Sequence, residues 1–222
     1  MKILHLNLQG IRMDKESESL LPFVSKRRRE KIHRYKFEED KVLSLYSELL
    51  VRMGLAKELG LNHGDLKFGF SEYGKPFCLN SSKMKFNLSH TKMFIIVGFL
   101  KDGEVGVDVE RLKNPLFDVM DLCFNKNEID YVNSCEMNQK RFFFEVWTRK
   151  EAYLKWQGTG IVSDLDMIDT GEFDELFHSY TVDDYLCTLC SEDIEGLEVE
   201  DLSKEDVIEF FLSSESRLAI VA

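Results

Sequence analysis

The chain of 222 residues has no apolar run near the ~20 residues that a membrane-spanning helix needs. Prolines number only three, and no low-complexity stretch reads as a linker. Met1–Leu8 alternates like a short strand and lacks the longer apolar stretch of a secretory signal, so a cytoplasmic protein is expected. Cysteines number five, an odd count with no framework spacing, which excludes a disulfide scaffold and fits reduced thiols. Cys187-x-x-Cys190 has no second pair and falls in a strand-like stretch, so zinc or redox use is not expected. Positive charge is scarce as well. Lys and Arg total 29 against 40 Asp and Glu, and a net charge of −11 argues against general nucleic-acid binding.

What is present is enough for a packed core. Hydrophobic residues make up 44% and aromatics 12%, which suits one large domain or two small ones. The scarce positive charge is concentrated. Lys26-Arg27-Arg28-Arg29-Glu30-Lys31, continued by His33, Arg34 and Lys36, forms a basic island in an acidic protein. Such an island is either a solvated helix face or a site for an anionic ligand.

The spacing predicts a strand at residues 2–8 and helical segments over 16–36, broken near Pro22 and Ser25. A long helix is predicted from Glu38 to Leu59, with Val42, Leu45, Leu49, Met53 and Ala56 on one face and Gly60 as its stop. Strands are expected at 67–70, 85–88, 94–100 and 105–110, the last two joined by a hairpin turn at Lys101–Glu104. Helices are expected near 115–122, 126–133 and 137–157, then strands near 178–190, 206–212 and 217–222. This order predicts a mixed α/β (α+β) fold in two halves, 1–110 and 111–222, each with helices on an antiparallel-rich sheet.

Val105, Val107 and Val109 alternate with Gly106, Asp108 and Glu110, the period of a strand with one buried face. Residues i and i+2 share a side, so Asp108 and Glu110 project together. They are either two solvated acids or oxygen ligands for a hard ion such as Mg²⁺. Glu151 and Lys155 are i and i+4 on a predicted helix, either an exposed ion pair or a ligand with a phosphate-neutralising cation. Phe86-Asn87-Leu88-Ser89-His90-Thr91 is either a polar strand end or a set of donors to phosphate. Tyr73-Gly74-Lys75-Pro76 is a turn whose aromatic and lysine could meet a purine and a phosphate. No Gly-x-Ser-x-Gly elbow is present to suggest a serine hydrolase.

Taken together, Gly-Lys-Pro at 74–76, Phe-Asn-Leu-Ser-His at 86–90, Gly-Val-Asp-Val-Glu at 106–110 and Trp-x-x-Lys-Glu-Ala-x-x-Lys at 147–155 closely resemble the signatures of the Sfp-type 4'-phosphopantetheinyl transferases. The resemblance covers residues 74–155, extends through the basic segment to about residue 25, and fades over the last ~60 residues. It implies a pseudo-twofold pair of α/β halves with coenzyme A between them. It also implies transfer of the phosphopantetheine arm to a serine of an apo acyl- or peptidyl-carrier protein, by a monomer, with release of adenosine 3',5'-bisphosphate.

By the same resemblance Asp108, Glu110 and Glu151 would bind Mg²⁺, and Glu151 or Glu128 would act as base. Lys155 would neutralise phosphoryl charge. Lys75, Ser89 and His90 match phosphate contacts, Tyr73 and Gly74 sit where the adenine packs, Pro76 belongs to the same coenzyme A-binding turn, and Arg28 and Lys31 meet the 3'-phosphate. Leu43 stands where relatives often carry an arginine, leaving Lys41 or Arg34 to substitute. Leu116, Phe117, Met120 and Phe124 recur at helical spacing, either as a carrier-docking patch or as core. The rival readings are a non-catalytic coenzyme A or carrier-binding module and a metal-dependent phosphohydrolase.

Overall fold

Helices and strands alternate much as the hydrophobic pattern predicts. They build a mixed α/β fold in which two sheets each carry one long helix. The computed structural model describes residues 1–160 and 165–218, with side chains to residue 213. Strand β1 (Lys2–Asn7) leads to helices α1 (Lys15–Ser19), α2 (Lys26–Arg34) and α3 (Glu38–Leu59). Strands β2 (Phe68–Phe70), β3 (Pro76–Cys78), β4 (Met84–Thr91), β5 (Phe94–Lys101) and β6 (Gly106–Arg111) follow. Next come helices α4 (Met120–Cys123), α5 (Lys126–Asn133) and α6 (Gln139–Gln157), then strands β7 (Phe177–Val182), β8 (Tyr185–Cys190) and β9 (Glu198–Leu202), and helix α7 (Lys204–Leu218).

The first sheet has the order β4-β5-β1-β9, with only the β1–β9 pair parallel. The second, β6-β8-β7, is antiparallel throughout. Strands β2 and β3 form a small separate hairpin. Helix α3 packs on the first sheet, and Val42, Leu45, Leu49, Met53 and Ala56 are all buried there. Helix α6 packs on β6 and β8 of the second. Among the described residues, no helix is long and apolar enough to cross a membrane.

Local chemistry sets the helix ends. The Ser25 hydroxyl accepts from the Arg28 backbone N–H and caps α2. Glu38, Glu39 and Asp40 oppose the positive end of α3, and Gly60 closes it at φ +63°, the left-handed conformation that glycine adopts without strain.

The structure corrects several expectations. Lys101–Glu104 is not a hairpin, because β6 leaves the sheet of β5 and pairs with β8. Residues 206–212 form part of α7 rather than a strand. Buried Val207 and Phe211 fall four apart, which a short apolar run does not distinguish from strand spacing. Of the strand expected at 217–222, residues 217–218 end α7 and the rest lie outside the described residues. Strand β6 is buried on both faces, not one. Val105 and Val107 press on Gly98 of the first sheet, while Gly106 lies against the α6 backbone. Cys187 and Cys190 are buried free thiols, and burial pushes the Cys190 thiol up to about 12, far from a reactive range.

Gly106 is the tightest of these contacts. A Cβ there would lie 2.0 Å from the Ala152 carbonyl oxygen and 2.5 Å from the Trp156 nitrogen, both backbone atoms that cannot swing aside. Gly106→Ala should therefore destabilise the protein by about 3 kcal/mol through forced separation of β6 from α6. A urea midpoint matching wild type would show that the two elements can move apart freely.

Candidate active site

Strands β4 and β6 are edge strands of different sheets, and side chains rather than a backbone ladder join them. Asn87, Ser89 and Thr91 alternate along β4 and so share one side. Asn87 Oδ1 accepts from the Val107 backbone N–H at 3.0 Å. Ser89 Oγ donates to Asp108 Oδ1 at 2.8 Å, and Thr91 Oγ1 donates to Glu110 Oε2 at 3.1 Å. The two acids of β6 are thus fixed in register with the opposite half.

Helix α6 supplies the third side. Lys155 Nζ donates to Asp108 Oδ1 at 2.6 Å and to Ser89 Oγ at 2.9 Å. Glu151, one turn earlier, feels the Asp108 charge. Burial first, and then that charge, raise its pKa above the usual carboxylate value while Lys155 opposes them. Glu110 is raised by the same two causes, with Thr91 and Lys155 opposing. Asp108 is buried, and its Oδ2 has no hydrogen-bond partner. An unpartnered buried carboxylate oxygen is costly and suits a cation. Among the described residues no three His, Cys, Asp or Glu side chains are grouped to hold a metal by themselves. An all-oxygen set with one orphaned oxygen instead fits a hard cation that shares its shell with water and a phosphate-bearing substrate.

Cations gather at the neighbouring lip. His90 is exposed beside Ser89. Crowding by protein atoms lowers its pKa, followed by the charges of Lys155, Arg28 and Lys31. Solvent access weakens the first cause. The shared sign of the other three shows that α2 and α6 direct positive charge at one place. Lys75 reaches the end of α6, donating to the Trp156 carbonyl at 3.3 Å and to Glu104 at 3.4 Å. Burial holds its pKa below the usual lysine value. Gly74 takes φ +82° to turn this loop, and Tyr73 and Pro76 are exposed beside it.

Other expectations are not brought to the cluster. Glu128 is buried and completes a capping box with Asn125 at the start of α5. Its Oε1 accepts from the Thr170 N–H and hydroxyl, and its Oε2 from the Asn125 N–H and from Lys150 Nζ at 2.7 Å. A carboxylate so saturated is a structural anchor and a poor base. Lys150, which carries no expected role, is 1% exposed and also donates to the carbonyls of Leu165 and Ile168. Its place in the Trp-x-x-Lys-Glu pattern was the available signal. Met120 and Phe124 are core residues packed with Phe143 and Val146, whereas Leu116 and Phe117 are exposed. Leu122, which the sequence pattern does not single out, is 73% exposed on α4. Leu43 packs on the core, and Arg34 turns back onto the Glu30 carbonyl.

Residues 104–197 match the family model "4'-phosphopantetheinyl transferase superfamily", and residues 12–99 match "4'-phosphopantetheinyl transferase, N-terminal". The chain is 33% identical over 167 residues to the 4'-phosphopantetheinyl transferase ffp of Bacillus subtilis, covering 72% of this chain and 74% of that one. The chain belongs to the Sfp-type 4'-phosphopantetheinyl transferases. Sfp itself, from Bacillus subtilis strain 168, is 30% identical over the same shares. The gsp transferase of Aneurinibacillus migulanus is 28% identical over 208 residues, 86% of each chain. The two family matches divide the chain between residues 99 and 104, just ahead of β6, and this agrees with a pseudo-twofold pair of halves. The chain is thus an enzyme of this transferase family.

The raised Glu151 pKa has a stability consequence. The folded protein holds that proton more tightly than the unfolded chain, so ionising Glu151 costs stability as pH climbs above 4.5. Glu151→Gln should raise the melting temperature at pH 7 without divalent cations. The gain should close below pH 4.5, where the carboxyl is protonated in both states. A lower melting temperature for the variant at pH 7 would contradict this electrostatic picture.

Proposed function

We propose that the chain transfers the 4'-phosphopantetheine arm of coenzyme A to a serine of an apo acyl- or peptidyl-carrier protein, in a Mg²⁺-dependent reaction that releases adenosine 3',5'-bisphosphate. The observation that carries this reading is Asp108, held by Ser89 from one half and by Lys155 from the other, within the field of Glu110 and Glu151. Asp108, Glu110 and Glu151 would hold Mg²⁺, which when bound offsets the charge of three acids and of a diphosphate.

The residues of the chain divide the remaining work. Lys155, already between two halves, offers its ammonium to charge on the transferring phosphoryl group. His90, Arg28, Lys31 and Lys75 form the anionic ligand's boundary, with Tyr73, Gly74 and Pro76 beside the base. Ser89 gives its proton to Asp108 and so acts through the acid rather than as a free donor to phosphate. The attacking hydroxyl belongs to the carrier, and Glu151, with its raised pKa, takes that proton directly or through water. An ionised Glu151 is required, so transfer falls in acid as this carboxylate is protonated.

Next to Glu110 lies a cavity of about 520 Å³, lined by Thr91, Arg111, Leu116, Phe143 and Trp147. Leu116 of this wall, with exposed Phe117 and Leu122 a few residues onward in the chain, would form the carrier-docking patch. A soluble monomer working in the cytoplasm completes the reading.

The direct experiment incubates the protein with coenzyme A, Mg²⁺ and an apo carrier, then weighs the carrier. Wild type should add one phosphopantetheine arm, and Asp108→Asn and Lys155→Ala should lower the rate by roughly a thousandfold while remaining folded. A carrier of unchanged mass after wild-type treatment rejects the function, and near-normal rates in both variants reject the site.

Docking is tested separately. Leu116→Ala with Leu122→Ala should raise KM for carrier about tenfold, as loss of two exposed anchors implies, and leave KM for coenzyme A unchanged. Phe124→Ala should instead destabilise the fold by about 3 kcal/mol, as for a core phenylalanine. Equal rises in both KM values for the Leu pair would reject the patch.

A further inference from the structure

Glu48 on α3 has no part in the chemistry above, yet it accepts hydrogen bonds from more donors than any other surface-reaching acid near the cleft. Its Oε1 accepts from the Ser25 N–H at 2.7 Å and from Arg52 Nε and one terminal nitrogen at 2.9 and 2.8 Å. Its Oε2 accepts from the Ser25 hydroxyl at 3.0 Å and from Arg28 Nε at 3.2 Å. Burial pushes the Glu48 carboxyl up, but the Ser25 N–H, Arg52 and Arg28 together hold it below its usual value, so it stays ionised.

These donors are not scattered. Ser25 is the N-cap of α2, and Arg28 sits one turn inside that helix. Arg52, 8% exposed, is anchored in turn on the His63 carbonyl. Glu48 therefore clamps the start of the basic helix to a fixed point on α3. Two of the three guanidinium nitrogens of Arg28 are committed. Its Nε faces Glu48, one terminal nitrogen reaches Ser44 Oγ at 3.3 Å, and its other terminal nitrogen has no partner among the described residues. The guanidinium is planar and rigid, so holding two of its nitrogens fixes the direction of the third.

A second observation marks the same wall. Ser47, 1% exposed, has a hydroxyl without a hydrogen-bond partner, and with Arg28, Glu48, Phe68, Pro76 and Phe86 it lines a cavity of about 330 Å³. The clamp therefore stands at the rim of a concave space that also reaches the Pro76 loop. We propose that Glu48 is a positioning residue that aims Arg28, and through it sets how strongly the enzyme distinguishes an adenosine ligand with a 3'-phosphate from one without. This rests on the coenzyme A reading, in which Arg28 meets the 3'-phosphate, and adds Glu48 as the residue that orients it.

The test measures binding of adenosine 3',5'-bisphosphate and of 5'-AMP by calorimetry, together with kcat and KM for coenzyme A. Wild type should prefer the bisphosphate. Glu48→Gln should weaken bisphosphate binding and raise KM for coenzyme A about tenfold, the scale of one charge-assisted hydrogen bond. Binding of 5'-AMP and kcat should change less than about twofold on the same scale. In an Arg28→Ala background Glu48→Gln should have no further effect on the preference, because the two act as one unit. Should Glu48→Gln fail to fold, Glu48→Asp keeps the charge but withdraws it from Arg28, and it should still lose the preference.

A folded variant with an unchanged bisphosphate-to-AMP ratio overturns the proposal. So does an equal loss for both ligands, which marks a purely structural role. Transfer activity with an intact ratio would leave the enzyme's function standing while removing Glu48 from it. Wild type that binds neither ligand would refute both.

Discussion

The seam between β4 and β6 is the constraint on which the site depends. Two sheet edges meet without a backbone ladder, so their register must come from side chains. Three alternating β4 residues supply it, binding Val107, Asp108 and Glu110 in turn. A shift of one residue would turn all three away, because successive strand residues face opposite sides. Register and site geometry are therefore one property. The closeness of Gly106 to α6 completes the arrangement, since any larger residue would carry Lys155 and Glu151 away from Asp108.

That seam concentrates negative charge where the fold gains nothing from it. Asp108 has an orphaned buried oxygen, and Glu110 and Glu151 are both harder to ionise than usual. Lys155 relieves only part of this, being a single cation among three acids. Sites that keep such repulsion in the folded state trade stability for function. The basic island of α2 does not cancel the acids directly. It lies at the lip beside His90, so a ligand with separated phosphates could meet acids through a divalent ion at one end and bare cations at the other.

Legibility in the sequence followed the range of the interactions. Helix α3 was readable residue by residue because its apolar spacing and Gly60 are local. The β6 alternation was readable too, but its double burial was not, since the covering helix lies some forty residues onward in the chain. The fate of Lys101–Glu104 escaped because turn chemistry specifies a reversal and not which strand is paired next. Glu128 departs from expectation for a related reason. Its acid matched a motif position, while its capping box was local and legible, and the partners that saturate it, Lys150 and Thr170, are distant. Ser89 and His90 were read as equivalent donors, yet one is buried against Asp108 and the other faces solvent. Strand alternation puts the two on opposite faces, but it does not say which face meets β6.

Helix α6 shows how one element can anchor and act at once. Lys150 and Glu151 are consecutive, and a helix turns about 100° between them. Lys150 is driven inward to Glu128 and two carbonyls, which fixes the rotation of the helix about its axis. With that rotation fixed, Trp147, Glu151 and Lys155 fall in a row on one face, each about 6 Å from the next along the axis. Trp147 lines the cavity beside Glu110, and Lys155 touches Asp108. Under the transferase reading the row runs from where a carrier would dock, past a proton acceptor, to the phosphoryl group. The buried Lys150–Glu128 pair then matters less for its own strength than for orientation. Ion pairs of this kind contribute little net stability against apolar substitutes, whereas breaking one leaves an unpaired buried charge and a helix free to turn.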